Sequence, residues 1–158
     1  MTAYLSLGSN LGDRRANLML ALSELEKAGV EVRRVSSIYE TEPVGHKDQG
    51  WFLNCAVEAG TDLEPLPLLH LLLGIERLLG RERTVPGGPR TLDLDILFYE
   101  DRVMDTAELA LPHPRMAGRR FVLQPLAEIA PEARHPVTHR TVREMLGMLM
   151  DQSQVRLL

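Results

Sequence analysis

Residues 88–98 read GPRTLDLDILF, a turn followed by a strand pattern that carries two carboxylates. The apolar residues Leu94 and Ile96 alternate with Asp93 and Asp95, and this period of two is typical of a β-strand. At a rise of ~3.3 Å per residue, the two aspartates leave one face of the strand about 6.6 Å apart at their backbones. Carboxylates at that spacing can converge on a pair of Mg²⁺ ions roughly 3.5–4 Å apart. The alternative is that the pair is the solvent-facing side of a half-covered strand.

An arginine-rich loop precedes this strand. Residues 81–90 read RERTVPGGPR, with three arginines among turn-forming residues, and the last of them is Arg90. A guanidinium is a planar cation that suits phosphate oxygens. Carboxylates for a metal, a few residues from cations for phosphate, predict a metal–nucleotide site, although a plain solvated loop would have the same composition.

The bulk composition predicts one ordinary globular domain that spans residues 1–158. The net charge of −4 argues against an extended nucleic-acid surface, but a nucleotide with bound magnesium needs only a local cluster of cations. Cys55 is the single cysteine, so the chain has no internal disulfide. Neither a signal peptide nor an apolar run of about 18 residues is visible, so we expect a cytoplasmic protein without a membrane segment.

The hydrophobic patterns give an order of elements. Strands are predicted over residues 3–7, 30–39, 52–59 and 92–98, and helices over 14–28 and 65–79. The order β-α-β-β-α-β predicts an α+β, ferredoxin-like antiparallel sheet with helices packed on one face and extra C-terminal elements. The other face would then carry the two aspartates. We expect residues 137–158 to form one closing helix.

Two connections and one buried polar residue are candidates for binding. The Gly-rich turn at residues 8–13 is either structural or a loop that closes over substrate, since it lacks the lysine of a P-loop. The connection at residues 41–50 is longer than a hairpin requires, which indicates a functional loop. Asn54 lies among apolar residues, and its amide suits either nearby backbone or the edge of a flat heterocycle.

A histidine and three arginines follow the aspartate strand. His113 stands between two prolines, and Arg115, Arg119 and Arg120 have one-turn spacing on a possible helix. Phosphate bound at such a terminus would gain from backbone N–H groups and guanidinium forks. The alternative for a lone histidine is a structural role.

Several motifs together resemble one known family, 6-hydroxymethyl-7,8-dihydropterin pyrophosphokinase of folate biosynthesis. The motifs are LGSNLG at 7–12, SSIY at 36–39 with TEP at 41–43, FLN at 52–54, GPRTLDLDI at 88–96, and LPHP at 111–114 with Arg119 and Phe121. The resemblance implies Mg²⁺-dependent transfer of diphosphate from ATP to the hydroxymethyl group of the reduced pterin, with release of AMP. It also implies two Mg²⁺ ions.

The resemblance assigns roles to individual residues. The metal ligands would be Asp93 and Asp95, and the catalytic set would add Arg81, Arg83 and Arg90. The residues that bind ATP would be Glu76, Arg81, Arg90, Ile96, His113 and Arg119. The pterin pocket would comprise Thr41, Pro43, Val44, Phe52, Asn54 and Phe121, with the two phenylalanines on either side of the ring. Gly87 stands where some relatives carry a tryptophan, so one aromatic is missing from the arginine-rich loop.

Two other functions use a similar architecture. A palm-type nucleotidyl transferase or cyclase would attack the α-phosphorus of ATP and release pyrophosphate. A non-catalytic RNA-binding module would require a basic sheet face and stacked aromatics, whereas aromatic residues are 4% of this chain. We expect ATP and the pterin alcohol as small-molecule partners, no nucleic acid, no membrane, and a monomer.

Overall fold

The computed structural model describes residues 1–44, 49–80 and 91–158. In chain order its elements are β1 (Thr2–Ser9), α1 (Arg14–Lys27), β2 (Glu31–Val35), β3 (Tyr39–Thr41), β4 (Phe52–Gly60), α2 (Pro65–Leu78), β5 (Asp93–Tyr99), β6 (Met104–Asp105), β7 (Ala110–Leu111), α3 (Arg120–Ile129), α4 (Val142–Gly147) and β8 (Val155–Leu157). A 3₁₀ turn at Met116–Gly118 precedes α3. Within this part of the chain, no helix is long and apolar enough to cross a membrane.

The main sheet is antiparallel and has the order β5-β1-β4-β3-β8, with β2 also paired to β4. The prediction of a mixed helix-and-strand fold on an antiparallel sheet is confirmed. The single strand expected over residues 30–39 is in fact two strands, β2 and β3, both paired to β4. The break falls at Ser36, whose N–H donates to the carbonyl of Ala56 at 2.9 Å while its hydroxyl, in place of a backbone carbonyl, accepts the N–H of Ala56 at 2.9 Å.

Local signals set the limits of the first helix as expected. Asp13 caps α1, because its carboxylate accepts the N–H of Ala16 at 3.1 Å. Gly29 follows the helix with φ +87°, a conformation that glycine adopts without strain. The helix predicted over 65–79 is α2, with Pro65 in its first turn.

Helices α1 and α2 pack against one face of the main sheet. The buried residues of this first core include Leu5 and Leu7 of β1, Leu18 and Leu25 of α1, Cys55 and Val57 of β4, Leu68 and Leu72 of α2, and Leu94 and Ile96 of β5. On β5 the alternation read from the sequence therefore holds, and its apolar side faces the core.

Helices α3 and α4 pack against the opposite face, so the prediction of helices on one face only is wrong. The second core includes Ala56 of β4, Leu97 and Phe98 of β5, Val122 and Leu126 of α3, and Val142 and Met145 of α4. A register shift explains the consecutive pair on β5, because Tyr4 pairs with Phe98 and Leu5 with Ile96, which leaves Leu97 as an extra residue. The sequence pattern missed α3, which contains Pro125.

The C-terminal region is also different from its prediction as one helix. Only α4 is helical there, and it begins at a capping box in which Thr141 and Glu144 satisfy each other's backbone N–H groups. The last residues form β8 instead, with Val155 paired to Thr41. Pairing with a distant strand has overridden the local helical pattern.

Candidate active site

One row of residues across the sheet organises the site. Gly8 on β1 pairs with Asn54 on β4 and with Asp93 on β5, so the three residues share one face. In the next row, Ser6 pairs with Asp95. Because neighbouring strands lie about 4.8 Å apart, the backbones of Asp93 and Asn54 are roughly 10 Å apart. The two carboxylates therefore lie on one side of Gly8 and the amide lies on the other.

Gly8 has no room for a side chain, because the amide of Asn54 lies against its Cα. A Cβ atom at this position would lie 2.6 Å from Nδ2 of Asn54, far inside ordinary contact distance. Sequence reasoning did not name Gly8 as a site residue, although a glycine inside a strand signals a close approach to its backbone.

The amide of Asn54 is held by a neighbouring strand. The hydroxyl of Thr41 on β3 donates to Oδ1 of Asn54 at 2.5 Å, and both side chains are buried. The Nδ2 group of Asn54 makes a long hydrogen bond of 3.4 Å to the carbonyl of Leu7. Oδ1 is therefore engaged, while Nδ2 keeps hydrogen-bonding capacity for a ligand.

The other predicted pterin residues lie on or next to the same two strands. Phe52 pairs directly with Thr41 and is partly buried, and Pro43 is buried just beyond β3. Val44 is 50% exposed. Phe121 is partly buried in the first turn of α3.

Arg119 connects the aspartates with this aromatic. Burial and then Arg115 lower the pKa of Arg119, whereas Asp95 and Asp93 raise it, which places the guanidinium within electrostatic reach of both carboxylates. The same guanidinium lies 5.4 Å from the ring centre of Phe121, a cation–π distance. The guanidinium of Arg119 is thus a cation that lies between the two aspartates and Phe121.

His113 lies within electrostatic reach of Asp95. Its backbone N–H donates to the carbonyl of Leu97 at 2.9 Å, which attaches it to β5. Burial lowers the pKa of the imidazole, Asp95 raises it, and Arg119 and Arg115 lower it, with a net downward direction that favours the neutral ring near pH 7. Nδ1 accepts the N–H of Arg115 at 3.2 Å, so in the neutral ring the proton is on Nε2.

The three arginines of this region do not share one helix. Arg115 precedes the 3₁₀ turn, and Arg119 has extended backbone angles immediately before α3. Arg120 begins α3 and binds Asp151 through its backbone N–H at 3.0 Å and its Nε at 3.2 Å. The prediction of one-turn spacing is therefore wrong, because the 3₁₀ turn intervenes, and only Arg115 and Arg119 are electrostatically coupled to the His113 region.

Glu76 supports the strand between the two aspartates. It is only 3% exposed, and its carboxylate accepts the backbone N–H of Leu94 at 2.7 Å. Ile96, another predicted ATP contact, has its side chain in the first core, on the face opposite the aspartates. The structure thus brings His113 and Arg119 to the carboxylates but turns the side chain of Ile96 away from them.

The three predicted catalytic arginines, Arg81, Arg83 and Arg90, lie outside the described residues. Thr91, which follows Arg90, is anchored by Asn17 of α1. The sequence did not indicate this role of Asn17. Its Nδ2 atom donates to the carbonyl of Thr91 at 3.2 Å and to Oγ of Ser9 at 3.1 Å. The Gly-rich turn and the beginning of β5 are therefore attached to the same side chain.

The last residues of the 41–50 connection are attached to the Gly-rich turn as well. Asn10 donates through Nδ2 to Oε1 of Gln49 at 2.8 Å and to the carbonyl of Gly50 at 3.1 Å. Asn10 is itself only 8% exposed. The turn at residues 8–13 therefore has a structural role, holding the segment that leads into Phe52.

The aspartate pair fits Mg²⁺ bound together with a phosphate ligand. Among the described residues, no group of three or more His, Cys, Asp or Glu side chains could hold a metal ion by itself. Mg²⁺ is commonly bound by one or two carboxylates, with substrate phosphates and water completing its shell. Asp93 and Asp95 carry carboxylate oxygens of this kind, and they lie opposite Gly8 and Ser6 of β1.

Paired carboxylates, an imidazole and a guanidinium on one face of the sheet fit the class of enzymes that transfer phosphate-containing groups. A family model described as 7,8-dihydro-6-hydroxymethylpterin-pyrophosphokinase (HPPK) matches residues 4–131. The chain belongs to this family, which confirms the resemblance read from its motifs.

Individual relatives agree with the family. The chain is 53% identical over 137 residues to 2-amino-4-hydroxy-6-hydroxymethyldihydropteridine pyrophosphokinase of Bacillus subtilis, covering 86% of this chain and 82% of that protein. It is 47% identical over 148 residues to the protein of the same name from Methylorubrum extorquens, covering 93% and 92%. Its fold is similar to that of Plasmodium falciparum HPPK-DHPS crystallised with pteroate, with a TM-score of 0.74 and 16% identity. That match covers 92% of this chain and 44% of the solved chain, so the chain spans less than half of it.

Proposed function

We propose that this protein transfers diphosphate from ATP to the hydroxymethyl group of 6-hydroxymethyl-7,8-dihydropterin in folate biosynthesis, and that AMP is released. The observation that carries the proposal is the row formed by Asp93, Gly8 and Asn54. In this row, a carboxylate suited to a metal–phosphate group and a hydrogen-bonding amide lie about two strand spacings apart on one face of the sheet, which supports the proposal. Membership of the pyrophosphokinase family supports the same reaction.

The phosphates of ATP would lie at the aspartate end of the row. Arg119 supplies a guanidinium there, and His113 supplies an uncharged Nε2–H donor for a phosphate oxygen. Arg81, Arg83 and Arg90 are proposed to contribute further guanidinium groups. Donors fixed before the reaction stabilise charge as it develops on transferring phosphate oxygens, which is the principal requirement of this chemistry.

Asp93 and Asp95 would hold Mg²⁺, and we propose two ions. The bound metal would neutralise phosphate charge and orient the oxygens of ATP. Glu76 would act on the metal site indirectly, because its hydrogen bond to the N–H of Leu94 fixes the backbone between Asp93 and Asp95. Glu76 and Ile96 remain predicted contacts of the nucleotide.

The pterin would lie at the Asn54 end. Because Thr41 engages Oδ1, the free donor capacity of Asn54 is on Nδ2, which suits an acceptor on the edge of the heterocycle. Phe52 and Phe121 would stack on the two faces of the ring, and Pro43 and Val44 would form the wall beside it. Flat heterocycles commonly bind between aromatic faces with a few polar groups reading their edge.

We also propose a topology for the sheet and an extent for the domain. We propose a ferredoxin-like β-α-β-β-α-β core with one strand divided in two, supported by the order β5-β1-β4 and by β2 and β3 on the far side of β4. We propose that residues 1–158 form a single pyrophosphokinase domain. A monomeric state and a cytoplasmic location stay predictions from the sequence.

The reaction is tested by identifying its products. Purified protein is incubated with ATP, MgCl₂ and 6-hydroxymethyl-7,8-dihydropterin, and nucleotides and pterins are separated by chromatography. We expect AMP and pterin diphosphate in equal amounts, with neither formed when the pterin is omitted or when Asp95→Asn is used. Release of pyrophosphate would instead indicate nucleotidyl transfer and would contradict the proposal.

A further inference from the structure

The last strand of the chain lies beside the strand that carries Thr41. Val155 pairs with Thr41, Arg156 with Glu40, and the carbonyl of Gln154 accepts the N–H of Glu42 at 3.0 Å. Thr41 therefore lies opposite Val155 of β8, while its hydroxyl is bonded to Asn54. The family match ends at residue 131, so this strand lies beyond the region that defines the family.

A cluster of four side chains continues this contact toward Phe52. The guanidinium of Arg156 lies 4.4 Å from the ring centre of Trp51 and 3.4 Å from a carboxylate oxygen of Glu40. The other oxygen of Glu40 binds Arg14 at 3.0 Å, and Arg14 also donates to the carbonyl of Trp51 at 2.9 Å. We call these residues, Arg14, Glu40, Trp51 and Arg156, the Trp51 clamp.

The Trp51 clamp contains the residues that immediately precede two members of the proposed pterin pocket, Thr41 and Phe52. Glu40 immediately precedes Thr41 on β3, and Trp51 immediately precedes Phe52, which pairs with Thr41. Trp51 also directly follows the 41–50 connection, whose last residue, Gly50, is bound by Asn10. Arg14 binds the carbonyl of Trp51 and Arg156 covers its ring, so both the backbone and the side chain next to Phe52 are held by the clamp.

We infer that Arg156 is a positioning residue for the pterin, acting through Trp51 and Glu40 on Phe52 and Thr41. This inference rests on the proposed placement of the pterin at Phe52 and Asn54. Arg156 touches no reacting group and belongs to the end of the sheet away from Asp93, because β8 and β5 are its two outer strands. Its loss should therefore affect pterin binding rather than ATP binding or the chemical step.

The test replaces Arg156 and measures two independent properties. Trp51 is the only tryptophan of the chain, so intrinsic fluorescence reports on the clamp alone. In Arg156→Ala, we expect acrylamide to quench this fluorescence more strongly, because one face of the indole ring loses its cover. We expect the KM for the pterin to rise about 2- to 5-fold, the factor that corresponds to an exposed cation–π contact, with kcat and the KM for ATP unchanged.

Two further variants make the result specific. Arg156→Lys keeps the charge but loses the planar face, so it should give an intermediate pterin KM. Arg143→Ala removes a comparable surface ion pair, with Glu132 at 2.8 Å, and should behave as the wild type. Stronger quenching with an unchanged pterin KM would overturn the inference, as would equal changes in the KM values of both substrates.

A fourth variant separates this inference from the proposed site. If Asn54→Ala leaves the pterin KM unchanged, the pterin placement itself is wrong. If Asn54→Ala raises it and Arg156→Ala does not, the placement stands and only the role of Arg156 is refuted.

Discussion

Replacing Gly8 by alanine tests whether the position between Asp93 and Asn54 tolerates a side chain. The new Cβ atom would lie 2.6 Å from Nδ2 of Asn54, about 0.8 Å short of ordinary contact, so one of the two side chains has to move. Asn54 is 4% exposed and bonded to Thr41 at 2.5 Å. It cannot swing away without losing that bond.

The magnitude follows from the two ways of relieving this overlap. Breaking a buried hydrogen bond costs about 1–3 kcal/mol, and shifting the strands apart to accept an extra methyl group costs a similar ~1–3 kcal/mol. We therefore expect the free energy of unfolding of Gly8→Ala to fall by about 1–3 kcal/mol. If Asn54 moves, kcat/KM for the pterin should fall roughly 10- to 100-fold, mostly through KM.

The assay combines urea unfolding with AMP formation as a function of pterin concentration. Gly74→Ala is the matched control, because a Cβ at Gly74 in α2 meets nothing within 4 Å. That control should be as active as the wild type and more stable by ~0.5–1 kcal/mol, since alanine favours a helix interior. A folded Gly8→Ala protein with wild-type kinetics would refute the placement of the pterin against Asn54.

Three further substitutions have distinct signatures. Asp95→Asn should lower kcat by at least ~10²-fold while leaving the urea midpoint nearly unchanged, since the side chain is exposed, and wild-type rates at saturating Mg²⁺ would contradict its role. Glu76→Leu should lower the free energy of unfolding by about 1–3 kcal/mol, because the N–H of Leu94 loses its buried acceptor; an unchanged urea midpoint would show that the bond is dispensable. Burial, then the hydrogen bond to Glu128 and its charge, raise the pKa of Tyr39 from 10.0 to about 12. The stability from this group is complete below pH 10 and lost as pH rises toward 12, so Tyr39→Phe should narrow the stability difference between pH 9 and pH 11 in urea titrations.

The sequence was most informative where one local pattern decided the structure. The alternation around Asp93 and Asp95 predicted a strand with its carboxylates on one face, because a period of two follows from strand geometry alone. The alternation of apolar and acidic residues held as far as Ile96. The register shift at Leu97 depends on pairing with β1, which no local pattern reveals.

Features that depend on distant contacts were not predictable in this way. The tail was expected to be helical because its apolar spacing fits a helix, yet Val155 pairs with Thr41, more than 100 positions earlier. Asn17 and Trp51 carry no motif of their own, and their roles follow from what the fold places beside them. Asn54 was predicted to be either structural or functional; its bond to Thr41 gives it a structural role, and its contact with a ligand stays a prediction.

The position of β8 has a further consequence for the behaviour of the chain at high concentration. Without this strand, the outer N–H and C=O groups of β3 would form an open edge that another molecule could extend by strand addition. The chain covers that edge with a strand of three residues, Val155–Leu157, which is short and carries a charged side chain in its middle. Short, charged outer strands are poor templates for intermolecular pairing, so a protein truncated before β8 should aggregate more readily than the full chain.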